Sequence, residues 1–102
     1  VADPIAAGDP TGVSATPGGA GEALIAWTAP NSANYRGVRI RRNTINDEVT
    51  ATLLPTQYGA PSAADSYLNT GLVAGSYYYW LRSINPSGIE GNPVATGVVV
   101  VT

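Results

Sequence analysis

The sequence predicts an all-β chain, a seven-stranded antiparallel sandwich, and three observations carry that prediction. Seven short segments alternate apolar with polar residues, and clusters of Gly, Pro and Asn separate them. No stretch repeats its apolar residues at helical spacing. The run from Gly75 to Asn85 places Tyr77, Tyr78, Tyr79 and Trp80 in consecutive positions, and such residues favour a pleated, half-buried surface. At period two this run sends Tyr77, Tyr79, Leu81 and Ser83 to a core. Tyr78, Trp80, Arg82 and Ile84 go to a partly wet outer face.

The remaining elements follow in chain order. Residues 1–12 carry two Asp-Pro pairs and no period, so residues 1–9 read as a lead-in or linker, and the domain proper as residues 10–102. Val13–Thr16 forms a first strand, ended by Pro17-Gly18-Gly19, and the proline suits an edge. In the second, Glu22–Thr28, Ala23, Ile25 and Trp27 share a face, with Trp27 at the centre of the core. After the loop 29–34, Tyr35–Arg42 alternates Val38 and Ile40 against Arg39 and Arg41. Asn43–Glu48 is a turn, and Val49–Leu54 is a fourth strand closed by Pro55. A loop over 56–64 precedes a short strand, Asp65–Thr70, with Tyr67 inward. Beyond the loop 86–93, Val94–Val101 is the last strand, and its four-valine run reads as buried or nearly so.

Composition removes several functions. The chain has 102 residues, the length of one domain, and 44% of them are hydrophobic, enough for an independent core. It contains no Cys, His or Met, and all five positive charges are arginines. Nucleophilic triads want a histidine or an equivalent base, so no catalytic residue is assigned. The acids sit on separate segments apart from Asp47 and Glu48, whose turn position reads as solvated, so no metal or cofactor site is assigned either. A net charge of −2 argues against nucleic acid as a partner. No segment approaches the ~20 apolar residues of a membrane span, so membrane insertion is not expected. The chain begins at Val1 without any methionine and reads as an excised piece of something longer.

In order and spacing, Trp27-x-x-Pro30, then Gly71-Leu72, then Tyr77-x-Tyr79-x-Leu81-x-Ser83-x-Asn85 resembles a fibronectin type III domain over residues 10–102. The resemblance implies an immunoglobulin-like sandwich with Trp27 in its core and a tyrosine at the corner before the sixth strand. Leu72 to Tyr77 is a residue shorter than in the commonest members. Tyr78 therefore competes for the corner role, although the alternation into Leu81 favours Tyr77. The string from Asn69 to Gly88 is similar to modules of tailed-bacteriophage tail-tip and tail-fibre proteins. That likeness implies a non-catalytic structural or adhesive module of a larger assembly, extracellular or on a virion surface. Its partners would be neighbouring domains or subunits, with a host-surface glycan or protein beyond them. The alternative is an accessory spacer or carbohydrate-binding module of a secreted bacterial glycan-degrading enzyme.

Two surfaces are candidates for contact. In the type III arrangement Arg39 and Arg41 share an outer face with Tyr78, Trp80 and Arg82, residue types that dominate binding hot spots. The bland alternative is a ladder of guanidinium over indole that merely covers the sheet. The second candidate is one end of the sandwich, where loops 29–34 and 86–93 would meet, with Asn31, Ser32, Asn34, Ser87, Ile89 and Glu90 as contact residues.

Overall fold

The computed structural model describes residues 3–102, so Val1 and Ala2 of the lead-in lie outside the described residues. Its strands are β1 (Thr11–Pro17), β2 (Ala23–Thr28), β3 (Gly37–Asn43), β4 (Thr52–Leu53), β5 (Gln57–Tyr58), β6 (Ala64–Asn69), β7 (Gly75–Ile84) and β8 (Val94–Val101). One sheet has the order β1-β2-β6, and the other β4-β3-β7-β8, with β5 also pairing β3. Every pairing is antiparallel.

The expected alternation fills the space between the sheets. Ala23, Ile25 and Trp27 of β2 are buried there with Val38 and Ile40 of β3 and Tyr77, Tyr79 and Leu81 of β7. Tyr77 Oη donates to the Val73 carbonyl at 2.6 Å, so Tyr77, not Tyr78, makes the corner.

Three expectations need correction. The strand expected at Val49–Leu54 shrinks to Thr52–Leu53, and a second short strand forms beyond Pro55. Asp47 Oδ1 accepts from the Val49 N–H at 3.0 Å and curls residues 47–50 into a turn. Pro55 then removes a donor between the pieces, so β4 and β5 pair separately with β3, and Gln57–Tyr58 is strand where a loop was expected. Backbones also come close here: a Cβ on Gly37 would collide with the Gln57 carbonyl.

The valine run is not buried throughout. Val99 and Val101 face the core, whereas Val98 is 54% and Val100 59% exposed. Strand β8 ends its sheet and has only one covered face, so a continuous apolar string still alternates. A bulge sits between the pairs Tyr78↔Val98 and Trp80↔Ala95. Gly97 adopts φ 81° there, a conformation that glycine takes without a Cβ clash.

Finally, the outer face of β7 is drier than expected. Trp80 is 7% and Ile84 3% exposed, though neither belongs to the core between the sheets.

Candidate functional site

Register builds the predicted face. Pairing of β3 with β7 sets Arg39 opposite Arg82, Arg41 opposite Trp80 and Asn43 opposite Tyr78. The five predicted residues therefore lie on one surface. Like charges directly opposite each other are destabilising, so the Arg39–Arg82 pair needs counter-charge.

Two glutamates from loops supply it. Glu90, held beside β7 by a bridge to Ile84, accepts from Arg39 Nη1 at 2.8 Å and from both Arg41 Nη1 and Nη2 at 2.9 Å. Arg82 Nε lies 3.6 Å from the same carboxylate. Glu48 takes Arg82 in a two-pronged grip, with Nε and Nη2 each at 2.8 Å. The spare donors go to backbone: Arg82 Nη1 to the Gly91 carbonyl at 2.9 Å and Arg39 Nη1 to that of Gly88 at 3.3 Å. A groove of about 240 Å³ runs between Arg41, Glu48, Val49, Arg82 and Glu90.

The expected stacking of guanidinium on indole is absent among the described residues. Arg36 over the Tyr58 ring, at 5.5 Å, is the cation–π contact found there. A two-pronged carboxylate contact outweighs the ~0.5–1 kcal/mol of an exposed cation–π pair, which explains the arginines' choice. Glu48, expected to be solvated, is for the same reason only 18% exposed. The aromatics pack on each other instead: Tyr78 and Trp80 stack with centroids 6.4 Å apart and planes 21° apart. Beside them lies a second groove of about 260 Å³, lined by Asn46, Tyr78, Trp80, Ala95, Gly97 and Val98.

The arginines hold the Glu90 carboxyl well below its ordinary 4.5, at about 2, chiefly through the Arg41 hydrogen bonds. Arg82 lowers Glu48 in the same way. A depressed folded-state pKa gives stability that is complete above the ordinary value and is lost as pH falls towards the folded one. The melting temperature should therefore drop as pH is lowered from 4.5 to about 2. Glu90→Gln should flatten that drop, and an equally steep fall in the variant would refute the assignment. The effect is reduced by water, since the Glu90 side chain keeps 21% of its surface exposed.

Loops 29–34 and 86–93 do lie at the same end, but the lead-in runs between them. Ser32 Oγ accepts from the Gly8 N–H at 3.0 Å, and Ser87 Oγ accepts from the Asp3 N–H at 2.9 Å. Asn34 Nδ2 donates to Asp3 Oδ2 at 3.0 Å and to the Ile5 carbonyl at 2.9 Å. Asn31 Oδ1 accepts from Ser62 Oγ at 3.2 Å, and Glu90 belongs to the arginine network. Ile89 stays 41% exposed. The sequence motif included Asn85 but assigned it no role; it is fully buried where β7 meets the following loop. Its signal was the Asn-Pro-Ser-Gly string, since asparagine side chains bond backbone two residues on.

No three acidic residues converge as a metal would require among the described residues. What the surface can do chemically is present charge, aromatic rings and hydrogen-bond donors on a stiff frame.

No family model matches the chain. A poly(3-hydroxybutyrate) depolymerase of Delftia acidovorans is 33% identical over 90 residues, which is 87% of this chain and 16% of that protein. The chain thus spans a small part of the relative it matches. The crystal structure of the FN1–FN3 domains of chicken CNTN1 superposes with a TM-score of 0.72 at 21% identity, covering 90% of this chain and 31% of that one. That likeness establishes the fibronectin type III-like, immunoglobulin-like sandwich as the fold.

Proposed function

We propose that this domain is a non-catalytic spacer module of a larger, exported polymer-degrading enzyme. The observation that carries the reading is the extent of the depolymerase match, 87% of this chain against 16% of that protein, the proportion of a module within an enzyme. The sandwich measures 45 × 26 × 18 Å. Asp3 is fastened at the end bearing the β7–β8 loop, whereas the Thr102 carbonyl accepts from Gly21 at the opposite end. A chain threaded in this way holds its neighbours apart along the long axis. The chain also lacks His and Lys, and Glu48 and Glu90 are both engaged by arginines, so neither stands ready as an acid or base.

This reading keeps the extracellular setting expected from the sequence and changes the polymer. The relative's name points to a polyester rather than a glycan. We prefer this reading to the virion tail protein because the matched sequence relative is named as an enzyme. In a spacer, the arginine–glutamate face is a cover for the sheet rather than a docking surface.

Sequencing the reading frame on both sides of residues 1–102 tests the proposal. A hydrolase domain is expected there; a tail-fibre or baseplate domain would sink it. The chain by itself should release no soluble product from poly(3-hydroxybutyrate) film.

A further inference from the structure

The segment before β1 is pinned at every second residue or closer. Asp3 and Ile5 are bonded to the loops, Ala7 is 5% exposed within the core, Gly8 is bonded to Ser32, and Pro10 is buried. Pro4 and Pro10 fix two of its φ angles and reduce the freedom that would be lost on docking.

Asn85 supplies the buried hydrogen bonds among these contacts. Apart from the buried Ala7 and Pro10, the other ties are largely at the surface, where water competes, whereas the Asn85 side chain is fully buried. Its Nδ2 donates to the Asp3 and Ile5 carbonyls, each at 2.8 Å. Its Oδ1 accepts from the Ser87 and Ile89 N–H groups, each at 3.0 Å. All four bonding positions of the amide are thereby filled. One half of the side chain shapes the loop after β7, and the other half grips the lead-in. Releasing the lead-in would leave a buried donor group without partners, which is unfavourable.

We infer that Asn85 is a latch that locks residues 3–8 onto the loop end of the sandwich and so fixes the direction from which the chain approaches the domain. The inference deepens the spacer reading and takes its purpose from it, because a spacer transmits orientation only through a stiff joint. The latch itself is a property of this chain alone, so flanking sequence can overturn the spacer while the latch stands.

Asn85→Asp isolates the device. It keeps an acceptor for Ser87 and Ile89 but turns an oxygen towards two carbonyls, so the lead-in should detach while the loop turn survives. Nitrogen-15 relaxation of the 102-residue chain at neutral pH reads the change. The Ile5 and Gly8 amides should give order parameters of about 0.85 in the native chain and below about 0.6 in the variant. Low values in the native chain, or high values in both, would overturn the latch. Should the buried carboxylate unfold the variant, hydrogen exchange of the Asn85 side-chain amide in the native chain decides. Strong protection is expected, and exchange at the rate of a free asparagine amide would overturn the inference.

Discussion

Trp27→Ala should remove about 3–5 kcal/mol of stability, the range for emptying a large aromatic from a packed core. Domains of this size hold about 5–15 kcal/mol in total, so a large part of the fold's reserve would go. Trp27 is 3% exposed and belongs to the same core between the sheets as Ala23, Ile25, Tyr79 and Leu81. Among the described residues its buried Nε1 makes no well-formed hydrogen bond, with the Tyr35 hydroxyl beside it, so the side chain acts chiefly through its volume. Trp27→Phe should accordingly be far milder, while the alanine variant leaves a cavity. Urea titration followed by tyrosine and tryptophan emission would read both. An alanine variant as stable as the native chain would mean that Trp27 does not hold the sheets together. Trp80→Ala is the informative control. It empties an outer-face site flanked by Arg41 and Ala95, so it should lower the melting temperature by less. In the spacer reading it should leave contact with the native neighbour unchanged.

Those two tryptophans mark where sequence reading succeeds and where it stops. Period-two alternation is local, so the faces of Ile25, Trp27, Tyr77, Tyr79 and Leu81 could be read from neighbours two residues away. How dry Trp80 would be could not, because it depends on Arg41 from β3, Ala95 from β8 and the stack with Tyr78. The arginine stripe shows the same division. Its face was legible from spacing, but its partners Glu48 and Glu90 come from loops 34 and 49–51 positions away in the chain. Nothing local selects a carboxylate over an indole there. The latch is more distant still, since Asn85 meets residues 80 and 82 positions earlier. In the valine string the residue type was uninformative, since valine suits both faces of a strand. Its position at the sheet's edge decided which side chains stayed in water.

Asn69→Ala should strongly destabilise the fold. Asn69 is 5% exposed, and its Oδ1 accepts from Tyr79 Oη at 2.7 Å and from Arg42 Nη1 at 3.0 Å. Arg42 stands opposite Tyr79 across the β3–β7 pair, so one acceptor satisfies two donors at the end of the core. Burial already pushes the Tyr79 hydroxyl up to about 12, so it remains a donor at every ordinary pH. Deleting the acceptor strands that hydroxyl at about 1–3 kcal/mol, with a further loss from the charged Arg42. Tyr79→Phe should be milder, because Asn69 keeps Arg42. Combined, the two changes should cost less than their sum, with a coupling of about 0.5–3 kcal/mol, because a phenyl ring at that position has no hydroxyl to leave unpaired. A urea-denaturation cycle over the native chain, both single variants and the double variant measures this directly. Strict additivity would show that Asn69 and Tyr79 stabilise the fold independently, and the shared-acceptor account would then fail.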